Sequence, residues 1–172
     1  MKKYLLPHIL IISFIFLLAP TVHVASYAGE IEDAKKAVRK NPDDAMAHDN
    51  LGYTYYELGK YKEAIESCKQ AIRLDPDFAN AHNNLGIAYG ELGKHQEAIE
   101  SYEQAIRLDP DFAWAHNNLG IAYGELGKHQ EAIESYKQAI RIDPDFAMAH
   151  FNLGDAYLDL NRKSYALDQY KI

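Results

Sequence analysis

From Ala45 onward, apolar residues recur at three- and four-residue spacing, interrupted by glycine and proline at regular intervals. Leu85, Ala88, Tyr89 and Leu92 fall on one face of a predicted helix. Ala98, Ile99, Tyr102, Ala105 and Ile106 fall on one face of a second. The first is predicted to run from about Asp75 to Leu92. Asp75 opens it by accepting from free backbone N–H groups, and Pro76 fits the first turn without losing a bond. Asn41-Pro42, Asp109-Pro110 and Asp143-Pro144 repeat the signal, and each proline also stops the helix before it. Gly93 predicts a left-handed end to the first helix, matched by Gly59, Gly127 and then Asn161. The second helix is predicted from Lys94 to Leu108. Gly86 and Ala98 are small where the two helices must approach, and Tyr89 and Tyr102 fill wider gaps.

This two-helix unit recurs at a fixed period, with copies starting at Ala45, Ala79, Ala113 and Ala147. Ala79–Phe112 and Ala113–Phe146 differ at three positions: Asn80 becomes Trp114, Glu103 becomes Lys137 and Leu108 becomes Ile142. Residues 45–78 form a more diverged copy, and residues 147–172 a fourth that stops early. Residues 29–44 resemble the second half of a preceding copy, with Ala34 and Ala37 at its small positions, and are expected to cap the array. One hairpin cannot bury both of its apolar faces, so a repeat of this size predicts stacked units and an all-α solenoid.

Within each copy the residues follow Leu-Gly-x-x-Tyr, then Ala, an aromatic, Ala and Pro. In the second copy these are Leu85, Gly86, Tyr89, Ala98, Tyr102, Ala105 and Pro110. In the third they are Leu119, Gly120, Tyr123, Ala132, Tyr136, Ala139 and Pro144. The first copy has Leu51, Gly52, Tyr55, Ala64, Cys68, Ala71 and Pro76, and the fourth has Leu153, Gly154, Tyr157, Ala166 and Tyr170. The pattern resembles the tetratricopeptide repeat over nearly all of residues 45–172. One departure is histidine (His48, His82, His116, His150) where the family carries an early tryptophan. The resemblance implies a right-handed solenoid of antiparallel helical hairpins, with the first helices lining a concave surface that binds protein or peptide segments.

Residues 1–28 stand apart. Met1-Lys2-Lys3 is a basic start, Leu5–Leu18 is mostly apolar, and Ser26-Tyr27-Ala28 offers small residues for cleavage. These features predict a secretory signal cut after Ala28. An uncleaved membrane anchor is the alternative, although the apolar run is shorter than the ~20 residues of a span. The expected location is periplasmic or secreted. Removing residues 1–28 takes the formal charge from −7 to −9, because two lysines leave and all 25 acidic residues stay. That balance disfavours nucleic acid and anionic membranes as partners. Cys68 is the only cysteine, so no internal disulfide forms, and its place on an apolar face predicts a buried thiol.

No nucleophile-base-acid set, phosphate loop or paired-cysteine spacing stands out. Neither a catalytic function nor a cofactor is expected. The recurrent histidines would form a ladder rather than a metal cage, since copies of one position lie ~10 Å apart. His95 and His129 are expected on an exposed turn.

The concave stripe implied by the resemblance takes the second, fifth, sixth, ninth, twelfth and thirteenth residues of each copy, and contains no lysine or arginine. Asn50, Asn84, Asn118 and Asn152 form a ladder whose amides could pair with the backbone of an extended peptide. Tyr53, Trp114 and Phe151 are aromatic anchors for a partner. Glu57, Glu91 and Glu125, continued by Asp159, form an acidic row suited to a basic segment or merely solvated. Gly90 and Gly124 leave room at the groove floor. The expected function is non-catalytic binding of a protein or peptide segment, extended or basic, in this groove. Self-assembly with a second copy through the incomplete last repeat is the alternative.

Overall fold

The structure is a computed structural model that describes residues 29–170; the predicted signal lies outside these residues. Helix α1 covers residues 29–40. Four hairpins follow: α2 (Ala45–Glu57) with α3 (Tyr61–Leu74), α4 (Ala79–Glu91) with α5 (His95–Leu108), α6 (Ala113–Glu125) with α7 (His129–Ile142), and α8 (Ala147–Asp159) with α9 (Lys163–Gln169). No strand occurs among the described residues. The four first helices begin at the equivalent alanines Ala45, Ala79, Ala113 and Ala147, so the period of the sequence is the period of the fold.

The helix ends follow the sequence closely on one side and depart from it on the other. Gly59, Gly93 and Gly127 sit at φ +68°, +70° and +70°, and Asn161 takes φ +56° in their place. The Asp-Pro pairs do not open helices as expected. Asp75 accepts from the backbone N–H of Asp77 at 3.1 Å, and Asp109 and Asp143 repeat that turn. The first helices start four residues later, at Ala79, Ala113 and Ala147, without a side-chain cap. A short Asx turn consumes the aspartate before the helix begins. In the first copy Asp44 is the cap, accepting from Met46 and Ala47 N–H.

The buried apolar clusters run from each hairpin into the next. Ala98, Ile99 and Tyr102 of α5 pack on Leu119 and Ala122 of α6. Ala64, Ile65 and Cys68 of α3 do the same with Leu85 and Ala88 of α4. Ala132, Ile133 and Tyr136 of α7 meet Leu153, Ala156 and Tyr157 of α8. Each hairpin thus completes the apolar face of the next, the arrangement of a solenoid. Cys68 is buried and its thiol is pushed up to about 12 by burial, so it is an inert packing residue. Ala37 stays exposed, unlike its counterpart Ala71.

First helices also touch first helices: α2 meets α4, α4 meets α6 and α6 meets α8, whereas α3, α5 and α7 make no such contact with one another. The array therefore closes up on the side of the first helices, which line its inner surface. The recurrent histidines hold the connecting loops. Nε2 of His48, His82, His116 and His150 lies 2.8 Å to 3.1 Å from the carbonyl oxygen of Pro42, Pro76, Pro110 and Pro144. As the carbonyl only accepts, Nε2 donates.

Candidate functional site

Polar stitches between first helices build the inner wall. Asn84 donates to the Asp49 carboxylate at 3.0 Å and 3.1 Å, Asn118 to Asn83 Oδ1 at 3.1 Å, and Asn152 to Asn117 Oδ1 at 3.0 Å. Two of the expectations change here. Asp49, Asn83 and Asn117 belong to the predicted open stripe but are buried. Their Oδ atoms receive the stitch, because each sits where the next copy's first helix closes over it. The asparagine ladder is half-buried at Asn84, Asn118 and Asn152 and exposed only at Asn50. The Nδ2 groups of the three half-buried members bond to the preceding copy. The Oδ1 atoms of Asn84, Asn118 and Asn152 accept no hydrogen bond among the described residues and are not among the buried orphan atoms. The ladder consequently offers acceptors to the groove more readily than donors.

Asp49 is the one carboxylate in the stitched row. Burial raises its pKa above 3.8, partly offset by the Asn84 bond. The folded state then holds the proton more tightly than the unfolded chain. Stability from this group falls as pH rises from about 4 through the raised value, and the penalty is full at neutral pH. Asp49→Asn supplies the amide oxygen that Asn83 and Asn117 use at the equivalent place, and removes the buried charge. It should raise the melting temperature at pH 7, with the gain shrinking towards pH 4. A lower melting temperature at pH 7 would show that the carboxylate stabilises the fold.

The aromatic and acidic residues lie open. Trp114 is 52% exposed and Phe151 58% exposed, and Tyr53, Ile121, Met46, Met148 and Leu158 are also exposed. The Trp114 ring rests on Phe146 at 4.6 Å between centroids, which fixes its position without covering it. Glu57, Glu91, Glu125 and Asp159 are all exposed. Tyrosines register this row: hydrogen bonding to Glu57 raises the Tyr53 pKa, and hydrogen bonding to Glu91 raises that of Tyr61. The Tyr170 hydroxyl donates to Asp155 and is pushed up to about 12, mainly by that bond.

Two cavities open along the wall, related by one repeat. The first, of about 480 Å³, is lined by Tyr56, Ile87, Gly90, Glu91, Trp114 and Glu125 among others. The second, of about 340 Å³, is lined by Ile121, Gly124, Glu125, His129, Asp155 and Asp159 among others. Neither is lined by lysine or arginine. Glycine makes the space: a Cβ on Gly124 would meet nothing within 4 Å, and one on Gly90 only the Tyr102 hydroxyl at 4.0 Å. The diverged copies put Tyr56 and Leu158 at this position. Helical glycine is disfavoured by about 1 kcal/mol against alanine. Gly124→Ala should thus stabilise the protein by up to that amount, read as a higher melting temperature. No gain would show that the backbone there needs glycine.

His95 and His129 line these cavities rather than an exposed turn. Each begins a second helix whose N-terminus leans on the next copy. His129 Nδ1 lies 3.4 Å from Asp159 Oδ2. The same offset along the chain relates Tyr61 to Glu91, whose hydrogen bonding raises the Tyr61 pKa, and His95 to Glu125, which line one cavity, a relation visible in the sequence once the copies are aligned. Among the described residues no cluster of three or more potential metal ligands occurs, and no helix is long and apolar enough to cross a membrane.

A family model described as TPR repeat matches residues 52–93, 88–127 and 122–161, and one described as tetratricopeptide repeat matches residues 34–66. No curated protein matches in sequence. Among solved structures, MamA is 32% identical, with 88% of this chain and 89% of that chain covered and a TM-score of 0.76. A thermophilic TPR protein of Thermus thermophilus is 27% identical over 90% of this chain and 84% of that one, with a TM-score of 0.75. The first TPR of Spaghetti (RPAP3), bound to the HSP90 peptide SRMEEVD, is 26% identical over 69% of this chain and 94% of that chain, with a TM-score of 0.67.

Proposed function

The chain belongs to the tetratricopeptide repeat family, and from that premise we propose that it is a non-catalytic scaffold that holds a segment of a partner protein in the groove of its first helices. One observation carries the reading. The inner wall combines exposed apolar side chains, above all Trp114, with a row of carboxylates, and its two open cavities are lined by no lysine or arginine. Exposed apolar surface inside a concavity suits a partner, and aromatic residues there supply most of the contact energy. The acidic row favours a basic segment and speeds its capture. The solved relative holds a peptide with three acidic side chains and one arginine; the charge of this wall favours the opposite kind of ligand.

Charge reversal tests the reading. Glu91→Lys with Glu125→Lys should slow association with the native partner by about tenfold or more at low salt, and that difference should fade as salt screens it. An unchanged rate would return the row to a solvated face. The signal-like character of residues 1–28 supports an exported location for this function. Intact mass of the chain from its native host should lack them, and a full-length mass would favour an anchored form.

A second reading has its own observation. Leu167 is 62% exposed and Tyr170 40% exposed, whereas their counterparts Ile133 and Tyr136 are covered by the following copy. A second molecule docking on this face would produce a dimer, seen as a mass that grows with concentration.

A further inference from the structure

The two cavities are the same pocket one repeat apart, yet their walls differ in a way that bears on the ligand. Gly90 and Gly124 floor them, His95 and His129 stand at corresponding places, and Glu125 lines both. In the first cavity the variable positions are Trp114 and Ile121, so the wall is mainly apolar under an acidic rim. In the second, Asp155 takes the place equivalent to Ile121, and with Glu125 and Asp159 it brings three carboxylates around the opening. Tyr170 donates to Asp155, and His129 lies beside Asp159. Among the described residues Glu125 has neither a hydrogen bond nor an ion pair.

We propose that the groove reads two side chains on one segment: a large apolar residue in the Trp114 cavity and an arginine or lysine in the next, three positions apart on a chain in the polyproline II conformation. This deepens the groove reading above and rests on it. The spacing follows from geometry. Neighbouring first helices pack roughly 10 Å apart. Polyproline II rises about 3.1 Å per residue with three residues per turn, so side chains three apart share one face at about 9 Å. A β-strand alternates faces and points such a pair to opposite sides. An α-helix needs about seven residues for the same distance and has its own N–H groups bonded internally. Polyproline II leaves its N–H groups free, and the Oδ1 atoms of Asn118 and Asn152, one residue in each cavity wall and neither oxygen already accepting a hydrogen bond, can accept them.

The test uses labelled ten-residue peptides of proline and serine carrying one phenylalanine and one arginine. They are titrated against the full chain while anisotropy and the emission of Trp114, the chain's single tryptophan, are recorded together. One order of the pair at three-residue spacing should bind tightest and shift the emission. Spacings of two or four, arginine replaced by glutamate, or phenylalanine replaced by alanine should each weaken binding at least tenfold. Glu125→Gln with Asp159→Asn should erase the preference for arginine over glutamate while the phenylalanine requirement persists. If spacing isomers bind equally and the emission still shifts, the two-residue code is wrong and the groove reading stands. If a peptide binds without moving Trp114 emission, the ligand lies off the wall and both fall. No binding by any peptide up to millimolar concentration also overturns the code.

Discussion

Gly120→Ala should destabilise the array by about 2 kcal/mol or more, the scale of overpacking a filled core. A Cβ at Gly120 would stand 2.5 Å from Cε1 of Tyr136 and 2.7 Å from Cδ1. Tyr136 is buried, with its neighbours Ala132 and Ile133 packed against the next copy. The ring cannot retreat without opening that interface. The same clash recurs between Gly86 and Tyr102 at 2.6 Å, so Gly86→Ala should behave alike. Because stability here is a sum of hairpins and their interfaces, chemical denaturation of Gly120→Ala should separate the ends of the array into distinct transitions. Gly124→Ala, one helical turn further on, should have the opposite sign. Equal effects at the two sites would mean that packing does not distinguish them.

Trp114→Ala should weaken partner binding by about 30-fold, the roughly 2 kcal/mol of a central aromatic anchor. Its expected effect on melting is small, since half of the ring faces solvent and its main neighbour is Phe146. Calorimetry with the native partner measures the first quantity and thermal unfolding the second. A large loss of stability with little change in affinity would assign Trp114 to the fold and remove it from the binding surface.

The architecture is legible in the sequence because its signals are redundant. Glycine or asparagine ends every first helix at a positive φ, and the small and aromatic positions repeat with the period. The wall is less legible. Asn83 and Asn84 are adjacent and equally polar, and on a helix they differ in direction by only ~100°. Which of them is buried depends on how closely the next first helix approaches, and local sequence does not encode that distance. An aspartate before proline reads as a cap because an Asx turn and a cap use the same side-chain acceptor. Only the backbone that follows decides between them. His95 and His129 follow a glycine turn, so they read as exposed. Their acidic neighbours Glu125 and Asp159 belong to the following copy, beyond the reach of any local pattern.

Site-specific photo-crosslinking in intact cells can show whether a partner protein lies in the groove of the first helices. A photoreactive residue placed at Trp114 or Ile121 on the inner wall is compared with one at Gln104 or Gln138, which line the shallow clefts beside His82 and His116. The inner positions should give one dominant protein adduct and the other pair none. Adducts formed equally at both, or only at Gln104 and Gln138, would contradict binding in that groove.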